Sequence, residues 1–156
     1  MIMGFLYLCL SFFACNRNEN VLKQDIFGVW NCIERDGLGF PIVYEGDAAQ
    51  ESLEDPNLQI AIQTLQMEID EEYNGILISY FDMTDIDGLN YEFDYPMPLT
   101  ASGTYPKYKI KAVDDDMGET ITLNCTLTNS EILTCSYKDS FDDSEGTINF
   151  KFVDSE

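Results

Sequence analysis

Through most of its length this chain alternates apolar and polar residues with a period of two, the pattern of strands that bury one face. Leu65-Gln-Met-Glu-Ile69 alternates, and Ile76 to Phe81 returns after Tyr73-Asn74-Gly75, where the Asn-Gly pair predicts a hairpin turn. Tyr108, Ile110 and Ala112 point one way while Lys107, Lys109 and Lys111 point the other. Ile121, Leu123, Cys125 and Leu127 share a face, as do Leu133, Cys135 and Tyr137, and Ile148, Phe150 and Phe152 form the last alternating run. Upstream, Ile26 to Glu34 predicts an opening strand with Asp36-Gly37 as its turn. Phe40 to Glu45 predicts a short strand that Pro41 confines to an edge, and Leu89 to Tyr95 predicts one that Pro96 and Pro98 stop.

The alternation breaks between Asp47 and Gln63. Asp55-Pro56 has the form of a helix start, with Asp as cap and Pro at the first position, and Leu58, Ile62 and Leu65 follow at helical spacing. One or two short helices are predicted here. The expected fold is all-β: an antiparallel up-and-down barrel of about eight strands with a short helical insertion after the first strand or strands.

The N-terminus differs in kind. Ile2 to Ala14 is uncharged and apolar, shorter than the roughly 20 residues a bilayer-spanning helix needs and of the length of a signal-peptide core. Phe12-Phe13-Ala14-Cys15 resembles the lipobox of bacterial lipoproteins, in which a small residue precedes the cysteine that receives the lipid. The resemblance implies that residues 1–14 are a signal peptide, that Cys15 is lipidated, and that residues 15–24 tether a barrel domain spanning 25–156. It further implies a cell-envelope protein attached to the membrane through its lipid. Asn16, rather than Asp, after that cysteine points to the outer membrane, facing the periplasm.

Gly28-Val29-Trp30 resembles the Gly-x-Trp of lipocalins and related calycin barrels, where the Trp packs across the closed end of an eight-stranded barrel. The likeness implies an interior or mouth that holds a small apolar ligand. Trp30, Tyr80, Tyr91, Phe93 and Tyr108 are the candidate lining residues, with Phe81, Tyr95 and Tyr105 adding to the aromatic supply. The same rings would serve equally as core filling, since a barrel of eight strands has little interior to spare.

Charge narrows the partners. The net charge is −21, and no Lys or Arg occurs between Arg35 and Lys107. Such a surface repels nucleic acid, whose binding needs cationic side chains, and leaves cations, basic proteins and neutral molecules. Beyond Cys9 in the leader and Cys15 at the anchor, Cys32, Cys125 and Cys135 remain, in a compartment that permits disulfides. If the apolar faces of the two late strands oppose one another, Leu127 meets Leu133, Cys125 meets Cys135, and Leu123 meets Tyr137. That register favours a Cys125–Cys135 bridge; Cys32 with either strand, or no bridge, are the alternatives.

Catalytic chemistry has little to draw on. The chain contains no histidine, which removes Ser-His-Asp and Cys-His arrangements and His-bearing zinc sites. A phosphate-cradling Gly loop and a dinucleotide fingerprint are absent too, so a non-enzyme without cofactor is expected. Asp82-x-x-Asp85-x-Asp87-Gly88 approaches an EF-hand loop, yet with Gly88 in sixth position the first ligand is Met83. No metal site is assigned, and Asp82, Asp85 and Asp87 could at most hold Ca²⁺ opportunistically. The expected function is a monomeric, lipid-anchored binding module for a small apolar or amphipathic ligand. The alternatives are an interaction protein, such as an inhibitor of a basic envelope lysozyme or protease, and a structural envelope lipoprotein.

Overall fold

The computed structural model describes residues 25–153; the expected signal peptide, Cys15 and the expected tether lie outside them. The elements run β1 (Gly28–Arg35), β2 (Leu38–Gly39), β3 (Ile42–Glu45), α1 (Asp47–Leu53), β4 (Leu58–Ile69), β5 (Asn74–Asp85), β6 (Asn90–Thr104), β7 (Lys107–Asp114), β8 (Glu119–Asn129), β9 (Ile132–Asp139) and β10 (Glu145–Val153). From β4 to β10 each strand pairs antiparallel with the next, β10 pairs with β1, and β1 returns to β4. The result is a closed antiparallel barrel of eight strands, β1 and β4 to β10, with β2 and β3 as short appendages. Closure removes the unpaired strand edges that would otherwise invite association.

Closure is partial along the strands. Gly28 to Asn31 of β1 pair with Ile69 to Gln66 of β4, whereas the first half of β4, Ile60 to Gln63, pairs with β3 instead. On the other side, β6 meets β7 only from Leu99 onward. The early part of β4, the late part of β5 and the early part of β6 therefore leave the barrel wall as a three-stranded ribbon. The helix α1 packs on that ribbon through Ala49, which shares a small apolar cluster with Leu58, Ala61 and Met83.

Three sequence expectations change. The segment after Asp55 is strand rather than helix. Alternate residues of β4, from Ala61 through Met67 to Ile69, are buried against the interior, and pairing with β3, β5 and β1 outweighs the helix-start signal. Asp55 instead supports a turn, its carboxylate accepting the Asn57 N–H at 2.9 Å. The strand with Pro96 and Pro98 also continues through both, to Thr104. The two prolines, two apart, share one side of β6, and before Leu99 that side has no neighbouring strand to receive an N–H. Finally, Asn74-Gly75 is not the centre of its turn. Both residues already belong to β5, and Asp70 to Tyr73 make the connection, with the Asp70 carboxylate accepting the N–H groups of Glu72 and Asn74. Gly75 is needed for a different reason: a Cβ there would lie 1.8 Å from the Glu68 carbonyl oxygen.

The core is continuous from the β1 end of the barrel upward. Trp30 is fully buried, its indole N–H donates to the Ile26 carbonyl at 2.7 Å, and Phe152 meets it edge-on at 5.3 Å between ring centroids. Met67, Ile110, Leu127, Leu133 and Phe150 are buried around it. The β8–β9 register is Leu127↔Leu133, Cys125↔Cys135 and Leu123↔Tyr137, and Cys125 is bonded to Cys135. Cys32 is the free, buried cysteine of the described residues.

The bridge joins cysteines 10 apart in sequence, which limits the chain entropy it removes from the unfolded state to roughly 2–3 kcal/mol. The double variant Cys125→Ala/Cys135→Ala is expected to stay folded and to lose no more than about that amount. Urea unfolding followed by tyrosine and tryptophan fluorescence measures it, and a loss well beyond this range would mean that the bridge holds the fold in place.

Candidate functional site

A cavity of about 160 Å³ opens at the end of the barrel opposite Trp30. Its floor is apolar, formed by Leu65, Leu77, Met97, Leu123, Ile148 and Phe150. Its rim is polar, formed by Arg35, Gln63, Ser79, Tyr95, Glu119, Tyr137 and Asp139, with Ile121 between. The rim residues sit where β1 and β9 end and β8 begins, so the barrel brings together groups more than 100 positions apart in the chain.

Arg35 reaches the cavity because of a bulge. The β1–β10 register shifts between Cys32 and Glu34, so a strand whose buried residues are Trp30 and Cys32 next turns Arg35, an odd position, inward. A one-residue shift moves every later side chain to the opposite face. The guanidinium lies 4.6 Å from the centre of the Tyr137 ring, and its Nη2 donates to the Tyr137 hydroxyl at 3.1 Å. That hydroxyl donates onward to Asp36 Oδ2 at 2.7 Å, and Arg35 Nε stands 3.7 Å from the same oxygen. Asp36 Oδ1 accepts the Thr147 N–H at 2.8 Å. Burial opposes the charge on Arg35, but Tyr137 and Asp36 outweigh it and hold its pKa above the ordinary value. Asp36 is held below the ordinary carboxylate range, chiefly by the Tyr137 hydroxyl and then by the Thr147 amide.

Across the mouth the balance is reversed. The Tyr95 hydroxyl donates to Asp114 and lies 3.4 Å from Glu119 Oε2. This bond, with the amides of Asp116 and Met117, keeps Asp114 low and pushes the Tyr95 phenol up. Glu119 moves the other way: burial, and then the neighbouring Asp139 carboxylate, raise its pKa above the ordinary glutamate value. The rim thus carries a satisfied cation, with Asp139 in its field, and beyond it a Glu119 whose charge is opposed by burial and by Asp139. Cys32 offers no nucleophile, since burial pushes its thiol up to about 12 and its Sγ rests 3.5 Å from the Glu34 carbonyl.

Of the aromatic residues expected to line a ligand site, Tyr95 alone lines this cavity. Trp30 and Tyr108 are buried in the main core rather than at the mouth. Tyr80 has the outward parity of β5, its hydroxyl donating to Gln66 at 3.4 Å. Tyr91 and Phe93 stand on the projecting ribbon, Tyr91 donating to Asp55 at 3.2 Å and Phe93 lying 6.2 Å from Phe81. The missed residues are the polar ones, Arg35, Gln63, Ser79, Glu119 and Asp139. Ser79 and Gln63 were detectable as polar interruptions on otherwise apolar inward faces, Leu77-x-Ser79-x-Phe81 and Ala61-x-Gln63-x-Leu65. Arg35 was not, because its orientation depends on the bulge.

The aspartates considered for Ca²⁺ do not converge. Asp82 is exposed on β5, and Asp85 Oδ1 is occupied by the N–H groups of Asp87 and Leu89, both at 2.9 Å. Among the described residues there is no group of three His, Cys, Asp or Glu able to hold a metal ion.

No family model matches the chain, and no curated protein matches it. Among solved structures it is similar to a de novo designed fluorescence-activating β-barrel, at 14% sequence identity and a TM-score of 0.40, over 82% of this chain and 94% of that one.

A group whose folded pKa is raised contributes stability that is present at low pH and lost as pH rises through the folded value. Glu119 is such a group. Glu119→Gln is therefore expected to melt at a higher temperature than the parent at pH 7, with the gap closing as pH falls toward about 4, the ordinary glutamate range. Thermal unfolding by circular dichroism across this range checks it; a variant that melts lower at pH 7 would contradict the strained acid pair.

Proposed function

We propose that this protein is a non-catalytic binding module for a small apolar or amphipathic ligand, held at the cell envelope by a lipid on Cys15. The observation that carries the reading is the cavity of about 160 Å³ with an apolar floor and a polar rim. Ligand sites combine those two linings. Its size sets the ligand's scale: an apolar protein cavity of about 150 Å³ takes up benzene, and drug-sized sites begin near 300 Å³. The enclosed part of the ligand is then a single ring or a short alkyl chain. Phe81 and Phe93, on the inward parity of β5 and β6 beyond the mouth, supply apolar surface for any portion that protrudes.

Ser79 lies on the rim, and Ser79→Phe places a ring across the opening. Saturation-transfer NMR with toluene, indole and 1-hexanol is expected to show uptake by the parent and at least a tenfold weaker response in this variant, with cooperative unfolding retained. Equal response in both proteins, or none in the parent, would remove the cavity as a binding site.

A second reading has its own observation. The ribbon exposes Ile86, Leu89, Tyr91 and Phe93 beside Asp82, Asp85, Asp87, Glu92 and Asp94, in a stretch without Lys or Arg. Apolar side chains within an acidic field suit a basic protein surface through electrostatic steering, as an inhibitor of a basic envelope enzyme would require.

The anchor is tested separately. Expressed in a Gram-negative host, the full chain is expected to incorporate labelled palmitate and to sediment with membranes. Cys15→Ala should abolish the label and release the protein; unlabelled parent protein would exclude lipidation.

A further inference from the structure

The floor of the cavity sets the ligand's size, and the rim sets its charge. The groups facing one another there are Arg35 from β1, Gln63 from β4, Ser79 from β5, Tyr95 from β6, Glu119 from β8, and Tyr137 and Asp139 from β9. Asp114, at the end of β7, stands behind Tyr95. The single cation in this ring is already committed. Arg35 is bonded to the Tyr137 hydroxyl, lies against its ring and pairs with Asp36. An incoming carboxylate would have to compete with Asp36 for that guanidinium and would face Glu119 and Asp139 while doing so.

The opposite side has the converse need. Glu119 and Asp139 both line the cavity; Asp139 lies in the field of Arg35 and its Oδ1 accepts the Phe141 N–H at 2.8 Å, but among the described residues no Lys or Arg forms an ion pair with either. Two carboxylates close together are mutually unfavourable unless a proton or a cation sits between them. An ammonium group carries three donors and no acceptor, and the Ser79 hydroxyl adds a neutral acceptor on the same rim, while the Gln63 amide oxygen already accepts from the Tyr44 hydroxyl at 3.2 Å. The apolar floor directly beneath would receive the group attached to that nitrogen.

We propose that the ligand of this cavity is a small organic amine, with its ring or short chain on the Leu65–Leu77–Leu123–Phe150 floor and its ammonium group between Glu119 and Asp139. The assignment rests on the cavity being the binding site and adds the chemical class. An ammonium group supplies the positive charge this pair lacks, and because the Glu119 pKa is raised, affinity rises with pH as that carboxyl ionises. Asp139, Asp114, Tyr95, Tyr137 and Arg35 are the neighbouring groups that set where this occurs.

Benzylamine, benzyl alcohol and benzoate share a ring and differ in head-group charge, so their dissociation constants on the full chain, by NMR titration at pH 7 and fixed ionic strength, separate the contributions. Benzylamine is expected to bind at least tenfold more tightly than benzyl alcohol, with benzoate weakest. In Glu119→Gln/Asp139→Asn the ratio of benzylamine to benzyl alcohol affinity should fall to near one. If benzyl alcohol binds and benzoate equals or exceeds benzylamine, the amine assignment is wrong while the apolar cavity stands. If benzylamine keeps its advantage in the double variant, or binds unchanged when Ser79→Phe closes the mouth, it is held by the general acidic surface and the assignment fails. If none of the three binds, the cavity reading itself falls, and the assignment falls with it.

Discussion

Between Gly28 and Asn31, β1 lies against the last four residues of β4, and hydrogen bonding there decides whether ten strand elements form a barrel or an open sheet. An open sheet would leave two unpaired edges and expose the apolar face of every strand. Joined at this seam, the strands bury Trp30, Met67, Ile110, Leu127 and Phe150 in one interior. The seam is short, and its shortness matters as much as its presence. Where β1 leaves β4, the wall opens, β3 takes over the pairing with β4, and the ribbon of β4, β5 and β6 continues outward. Closed packing at one end and a cavity at the other follow from a ladder that covers only part of its strand.

The β-bulge in β1 turns this geometry into chemistry. Without the shift between Cys32 and Glu34, Arg35 would face solvent, and the mouth would hold only acids and neutral groups. With it, the mouth has two unlike halves. One is saturated: Arg35, Tyr137 and Asp36 satisfy one another. The other is under tension, because burial and the neighbouring Asp139 carboxylate both oppose the charge on Glu119.

Much of the architecture was legible in the chain. Strict alternation from Tyr108 onward marked β7 to β10 with correct inward faces, since a period of two leaves no freedom once one face is buried. The same reasoning paired Leu127, Cys125 and Leu123 with their partners and so found the disulfide. The failures share a cause as well. Asp55-Pro56, Asn74-Gly75 and Pro96-x-Pro98 are local signals, and each was overruled by how strands pair: β3 and β1 beside β4, the Glu68 backbone against Gly75 within the same hairpin, and a side of β6 that β7 does not reach at the prolines. The site was least legible, because aromatic content does not distinguish a ligand surface from core packing. Trp30 and Tyr108 went to the core and Tyr80 to the outside, while the lining polar residues carried no local mark beyond a broken apolar run.

The sequence by itself determined most of the strands, their inward faces and the acidic character of the surface, and favoured the cysteine pair, because these depend on residue type and a period of two. Only the tertiary structure decided where the barrel closes, where it stays open, and which charges meet at the opening. Those outcomes depend on a four-residue seam and a one-residue bulge, and the register of both is set by contacts between segments that the linear pattern leaves far apart.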